Sequence, residues 1–266
     1  MSFIRKMAAL QGVAAGQTAT GNLPLGATYE ILYIYMNVDD SGATDVGHAD
    51  WGDYLGEIKL MVDGDAKYTM DAADLAAYAK RNGQTLVAGV LPIFLLRPWI
   101  MTPNGQDQTS YGTAGGIQTF QIEIDIKSGV TVNKLEVSAQ QSQGKPFGAH
   151  MAMRKYHLNH GVTGPFEVTE LRRSAYNISA LHIASAAIEG VEVTINNNQA
   201  TKTTKPIRAA HDAVYKKAGQ SGYTVVDFAP NRIKDAIFMN VQDFRLTLDF
   251  TATGNSALYA ESIEPA

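Results

Sequence analysis

Polar and apolar residues alternate strictly in two stretches of the chain, TFQIEIDI at residues 119–126 and DFRLTLDF at residues 243–250. Apolar side chains occupy every second position of both stretches, and an aspartate, Asp125 or Asp249, stands at the same place in each. A period of two places successive side chains on opposite faces of a β-strand. Each stretch therefore predicts a strand with one buried face, and the two strands match at a separation of 124 residues.

A hairpin pattern also occurs twice. Residues 56–70 alternate on both sides of Asp63-Gly64, and residues 189–204 alternate on both sides of an Asn cluster at 196–198. Asp-Gly and Asn clusters tolerate the positive φ that tight turns require. Each stretch predicts two short antiparallel strands joined by a turn.

A short helix is predicted after each hairpin. DLAAYAKRNG at residues 74–83 and AHDAVYKKAG at residues 210–219 both combine an apolar ladder, a tyrosine, two consecutive cations and a closing glycine. They are 136 residues apart. Helical periodicity at a matched place in both halves is difficult to explain by chance alignment of hairpins.

Further strands complete two equivalent series. The paired stretches are 27–38 with 174–185, 86–98 with 223–230, and 133–140 with 256–262. Short strands with turn signals between them are typical of a sandwich or barrel, and eight strands with one inserted helix fit a jelly roll. We therefore predict an all-β protein of two tandem eight-stranded jelly-roll β-sandwiches, each with a short inserted α-helix. The predicted divisions are an N-terminal arm at 1–16, a first jelly roll at 17–145 and a second at 146–266.

Composition narrows the possible functions. The apolar fraction is 45%, the formal net charge is −4 and the isoelectric point is about 5.9. This balance argues against a protein that coats nucleic acid, and the absence of cysteine excludes disulfides and thiol catalysis. The longest apolar stretch, residues 86–101, contains two prolines and an arginine and is shorter than the ~20 residues of a spanning helix. The Ala/Gly-rich N-terminus is a poor match to a secretory signal.

An acidic loop is the one candidate for a metal site. Residues 38–53 contain five aspartates, which are Asp39, Asp40, Asp45, Asp50 and Asp53. Carboxylate oxygens in a glycine-containing loop could bind calcium, but the spacing does not fit an EF-hand, and a solvated loop is the alternative. No other cofactor is expected, and no nucleophile or phosphate-binding motif predicts an enzyme.

Two other classes of function remain open. Asp125 and Asp249 could serve as the paired carboxylates of a jelly-roll glycan hydrolase, although matched strand positions explain them more simply. A virion spike or carbohydrate-binding double β-sandwich could use Trp51 and Trp99 as sugar platforms, but these are the only two tryptophans in the chain.

A family resemblance supports a third class. Five short motifs, GVAAGQ at 12–17, LPLGATYE at 23–30, VDG at 62–64, LRP at 96–98 and MRK at 153–155, occur in an order that resembles the corticovirus type of double jelly-roll major capsid protein. These proteins form the shells of tailless icosahedral bacteriophages with an internal membrane. The acidic insertion around residues 37–53 departs from the family pattern.

The resemblance implies a structural virion protein without enzymatic activity. It would form pseudo-hexagonal homotrimeric capsomers of an icosahedral capsid around an internal lipid membrane. Its partners would be further copies of itself, neighbouring capsomers, other virion proteins such as penton or membrane proteins, and the membrane surface. It would be made in the host cytoplasm without a secretory signal. The predicted interface residues are Arg5 and Lys6 in the arm, and Tyr33, Tyr35, Trp51 and Trp99 between lobes or subunits.

Overall fold

β-Strands are the main regular elements of the structure. The computed structural model describes residues 2–38, 44–47, 49–100 and 107–266. In these residues the strands, in chain order, are β1 (Phe3–Lys6), β2 (Thr18–Asn22), β3 (Thr28–Val38), β4 (Thr44–Asp45), β5 (Leu55–Val62), β6 (Asp65–Asp71), β7 (Val90–Phe94), β8 (Tyr111–Gly112), β9 (Phe120–Ile126), β10 (Val132–Ser142), β11 (His150–His160), β12 (Gly164–Val168), β13 (Asn177–Ile183), β14 (Ile188–Ile195), β15 (Asn198–Thr204), β16 (Thr224–Asp227), β17 (Ile237–Phe238), β18 (Phe244–Phe250) and β19 (Gly254–Glu264). The α-helices in the same residues are α1 (Trp51–Tyr54), α2 (Ala72–Arg81) and α3 (Lys205–Val214).

The chain forms two compact units. The first unit comprises Met1–Met151 with Ala266, and the second comprises Ala152–Pro265. The chain thus passes from one unit to the next after Met151, whereas the sequence pattern predicts a division after residue 145.

The first unit is a jelly roll of two four-stranded sheets. One sheet has the order β1-β10-β3-β7, and the other has the order β2-β9-β5-β6. The short strands β4 and β8 also pair with β3. Antiparallel neighbours that are distant in sequence, such as β2 and β9, give the crossing connections of this fold.

The second unit has the same strand order. Its sheets are β11-β19-β13-β16 and β12-β18-β14-β15, and the short strand β17 pairs with β13 as β8 pairs with β3. The predicted double jelly roll with a helix in each roll is confirmed.

The N-terminal residues differ from the predicted arm. Phe3 to Lys6 form β1, the edge strand of the first roll, in register with Gln141 to Ser138 of β10. FIRK is too short to show a period, so the alternation that identifies the other strands gives no signal here. Residues 1–16 therefore contribute a strand to the roll.

The alternation predicted for β9 and β18 is present in both strands. Their apolar positions are buried and the polar positions between them are partly or fully exposed. The buried residues are Phe120, Ile122, Ile124 and Ile126 in β9, and Phe244, Leu246, Leu248 and Phe250 in β18.

The hairpin turn of each roll holds the strand beside it through one side-chain oxygen. Asp63 has a φ of 49°, and its Oδ1 accepts hydrogen bonds from the backbone N–H groups of Gln118 (2.8 Å) and Thr119 (2.7 Å) just before β9. Asn196 also has a φ of 49°, and its Oδ1 accepts from Gln242 and Asp243 (both 3.1 Å) just before β18. The same device therefore fixes hairpin and strand in both units.

The separation between the two equivalent helices differs from the 136 residues predicted from the sequence. Asp71 precedes α2 and Thr204 precedes α3, which gives a separation of 133 residues, the same as between Asp63 and Asn196. The left-handed residue after the helix is Gly83 (φ 75°) in the first unit and Lys216 (φ 55°) in the second. The 136-residue alignment was wrong by three positions, because it paired Gly83 with Gly219.

The stability of the first hairpin turn depends on the ionisation of Asp63. The N–H groups of Thr119 and Gln118 hold the pKa of Asp63 below its usual value of 3.8. The stabilisation by this carboxylate is complete well above pH 3.8 and is lost as the pH falls through the lower folded-state pKa. We expect Asp63→Asn, which keeps the acceptor as Asn196 does, to reduce the loss of melting temperature between about pH 5 and pH 3. Asp235→Asn is the control; equal changes in both variants would contradict this role.

Candidate assembly surfaces

The predicted tyrosines lie on one face of β3 and are tied to their own unit. Tyr33 and Tyr35 are both half-buried. The Tyr33 hydroxyl donates to Gln140 Oε1 (3.2 Å), and the Tyr35 hydroxyl donates to Asp45 Oδ1 (2.9 Å). Burial raises the pKa of Tyr33, and the hydrogen bond to Asp45 raises the pKa of Tyr35. The remaining ring surface is available for a partner, so their interface role stays a prediction.

The two tryptophans differ in accessibility. Trp51 is completely buried, and α1, which contains it, packs against α2 and β5 of the same unit. A buried indole has no surface to offer to another chain, so Trp51 is not part of the interfaces proposed below. Trp99 is half-buried and makes edge-to-face contacts with Tyr78 (5.7 Å between ring centroids) and Phe94 (5.6 Å).

The edge strand β1 presents apolar and basic residues together. Phe3 and Ile4 are 47% and 67% exposed, and Arg5 and Lys6 are exposed beside them. Lys6 Nζ lies 2.7 Å from Glu136 Oε1. An exposed sheet edge that carries large apolar side chains is a common place for contact with another surface.

The acidic loop is described only in part. Asp39 and Asp40 lie outside the described residues, while Asp45, Asp50 and Asp53 are exposed. Asp45 Oδ1 already accepts hydrogen bonds from Tyr35 and from Asn37 Nδ2 (3.2 Å). Among the residues that the structure describes, no three His, Cys, Asp or Glu side chains are grouped for a metal ion. The calcium site stays a prediction.

Asp125 and Asp249 occupy the same structural position in separate units. Each faces a glycine of the neighbouring strand: a Cβ added to Gly56 would lie 3.3 Å from Asp125 Cβ, and one added to Gly190 would lie 3.2 Å from Asp249 Cβ. Both pairs lie where the register between the strands shifts. The repeated packing explains the two aspartates without a shared catalytic site.

The ionic pairs of the second unit were not identified from the sequence. His182 Nε2 lies 3.0 Å from Glu261 Oε2, while Glu261 Oε1 accepts a hydrogen bond from Ser179 Oγ at 3.0 Å. Arg154 binds Glu264 through two nitrogens at 2.6 and 2.7 Å. A charged residue in a sequence is normally taken to be exposed to solvent unless its partner is known. The sequence alone therefore could not identify these pairs. Such buried pairs favour one strand register.

The surface of α3 was also missed. In the 136-residue alignment His211 stands at the place of Leu75, but His211 is exposed and the buried residue at that position is Arg208. The sequence shows this difference only when the helices are aligned at an offset of 133 residues, which pairs Leu75 with Arg208.

None of the helices in the described ranges has the length and apolar character needed to span a membrane.

Both halves of the chain match models of the same protein family. Residues 4–142 match the model of the viral coat protein P2 N-terminal domain, and residues 151–266 match that of the viral coat protein P2 C-terminal domain. The chain belongs to the viral coat protein P2 family and is a structural protein of a virus capsid. The resemblance to double jelly-roll capsid proteins is confirmed.

The chain is also similar to individual proteins over nearly its whole length. The chain is 25% identical to the major capsid protein P2 of Pseudoalteromonas phage PM2, over 95% of this chain and 93% of that protein. The crystal structure of P2 from bacteriophage PM2 superposes with a TM-score of 0.86 at 24% identity, covering 100% of this chain and 98% of the other. A chain from the atomic structure of Sulfolobus Turreted Icosahedral Virus gives a TM-score of 0.71 at 12% identity, covering 98% of this chain and 90% of the other. The PBCV-1 virus capsid gives 0.61 at 8%, covering 99% and 94%.

Chelation tests the calcium prediction. If the aspartates of residues 39–53 bind calcium, removing the ion leaves their charges to repel one another, and EDTA should lower the melting temperature. Calcium, but not magnesium, should restore it. A melting temperature that is the same with EDTA and with calcium would show that the prediction is wrong.

Proposed function

We propose that this chain is the major capsid protein of a PM2-like bacteriophage and that it forms pseudo-hexagonal homotrimers. The main support for this proposal is that one chain of the viral coat protein P2 family contains two jelly rolls of the same strand order. A cyclic threefold operator acting on a chain with two similar lobes generates six similar lobes. A tile with a nearly hexagonal outline covers a curved shell with few gaps.

The trimers assemble into an icosahedral shell around an internal lipid membrane. Neighbouring capsomers, penton proteins and membrane proteins of the virion are the proposed partners, and the chain is made in the host cytoplasm. Membership of a coat protein family favours this role over a virion spike, a carbohydrate-binding protein or a glycan hydrolase. Calcium, if bound, would stabilise the acidic loop without a catalytic role.

The exposed strand β1 is the proposed contact with anionic lipid headgroups. Arg5 and Lys6 supply the positive charge, and Phe3 and Ile4 supply apolar surface. Each cation near an anionic surface contributes about 1 kcal/mol, so the strand assists attachment and does not anchor the shell by itself.

The oligomeric state tests the proposed capsomer. We expect light scattering of the purified protein to give three times the chain mass of 28.7 kDa, with the trimer persisting on dilution. Each chain of the trimer buries surface against both of its neighbours, and obligate interfaces of this kind resist dissociation. A stable monomer that binds glycans would contradict the proposal and favour the spike or carbohydrate-binding alternative.

Co-sedimentation with vesicles tests the role of β1. We expect Arg5→Gln/Lys6→Gln to weaken binding to vesicles rich in anionic lipid by roughly thirtyfold, because two charges worth about 1 kcal/mol each near the surface are lost. Lys127→Gln, which removes one exposed charge elsewhere in the first unit, should have little effect. Equal binding by the double variant and the unchanged protein would remove β1 from the proposal.

A further inference from the structure

The inserted helices of the two units differ strongly in exposure. Every residue of α2 except Ala73 is buried or partly buried, whereas Arg208 and Asp212 are the members of α3 that are not exposed. Arg208 holds α3 to its own unit by donating to the carbonyl oxygens of Ile188 (2.8 Å), Glu189 and Thr203 (both 3.2 Å). The second helix is thus attached along one narrow line and otherwise uncovered.

α2 is covered by segments of the first unit that have no counterpart in the second unit. The connection from β3 to β5 spans residues 39–54 and carries α1, which packs against α2. Trp99 adds an aromatic contact to Tyr78 of α2. The corresponding connection from β13 to β14 is residues 184–187, which is too short to hold a helix. Nothing in the second unit takes the place of α1.

The uncovered face of α3 is apolar. Ile207, Ala210 and Val214 are spaced three and four residues apart and so share one side of the helix. Ile207 and Val214 are 58% and 75% exposed. Beside this side runs a groove of about 120 Å³, lined by Ile207 and His211 of α3 and by Val225 and Phe228 near β16. An apolar stripe with an adjoining groove is typical of a helix that docks against another protein surface.

The charges around α3 identify the partner. Lys205 is the first residue of the helix, and Lys202, Lys216 and Lys217 lie within three residues of its ends. The helix itself contains one acid, Asp212. The first unit carries ten Lys and Arg against fifteen Asp and Glu, a formal charge of −5, while the second unit carries twelve against eleven, a charge of +1. The acidity is concentrated near α1, where no Lys or Arg occurs between Lys6 and Lys59.

We infer that α3 docks against the acidic surface of the first unit of a second copy of this chain, the exposed surface that includes Asp45, Asp50 and Asp53. A threefold ring of two-unit chains joins unlike units at each contact between chains, so every α3 meets one such surface. The apolar stripe supplies the buried centre of the contact, and the lysines and aspartates form its charged rim. This inference rests on the proposed trimer and names the surfaces that hold it together.

Removal of the stripe gives the first test. We expect Ile207→Ser/Val214→Ser to raise the dissociation constant of the trimer at least tenfold, as judged by light scattering over a dilution series. Circular dichroism should show a folded protein, because both side chains are exposed in the single chain. Val162→Ser, at an equally exposed valine of the second unit outside α3, should leave the trimer unchanged.

A charge exchange tests the identity of the partner surface. Lys205→Glu/Lys216→Glu and Asp50→Lys/Asp53→Lys should each weaken the trimer, and all four substitutions together should restore it, since each chain then carries both reversed surfaces. The weakening should shrink as salt rises. Restoration supports the acidic surface; weakening by both pairs without restoration would overturn it.

The outcomes separate this inference from the proposed function. If the unchanged protein is not a trimer, the proposed capsomer fails first. If the unchanged protein and the serine variant are equally stable trimers, only the role of α3 fails. A serine variant that forms normal trimers but does not assemble into shells would also overturn the inference, because it would place α3 between capsomers.

Discussion

The register between the hairpin and the strand beside it is the constraint on which each roll depends. A slip of one residue would turn Ile122 and Ile124 of β9 from the core to the solvent, because side chains alternate with a period of two. Two local devices prevent the slip. The side chain of Asp63 binds the two N–H groups that precede β9, and the close approach of Gly56 to Asp125 fits one alignment of β5 on β9.

The second unit keeps this constraint while much else has changed. Asn196 replaces Asp63 as the acceptor, and Gly190 faces Asp249 as Gly56 faces Asp125. The inserted helices differ between the units, and they pack beside the strands without setting the register of the sheet. Leu75 is replaced by Arg208, and the covering segment with α1 has no counterpart. The two units thus share one strand order and have different surfaces, as the proposed ring of unlike neighbours requires.

The sequence predicted the parts of the fold that repeat a simple period. Strands β9 and β18, with alternating positions and one buried face, were predicted correctly, and so were the hairpins with positive-φ turns at Asp63 and Asn196. The helix offset was wrong because a closing glycine was taken as the marker, whereas Lys216 adopts the left-handed conformation at that place in the second unit. β1 was missed because four exposed residues show no period, and Trp51 was expected at an interface because its acidic neighbours suggested a surface position. Which surfaces meet depends on exposure in the folded chain, and that cannot be read from a pattern.

The most direct test of the proposed capsomer is a cryo-electron microscopy map of the purified oligomer at a resolution that separates the helices. We expect a three-chain ring with six lobes, in which the first unit of one chain meets the second unit of the next and α3 is covered by the neighbouring chain. A map in which like units meet, or in which α3 faces solvent throughout the ring, would contradict it.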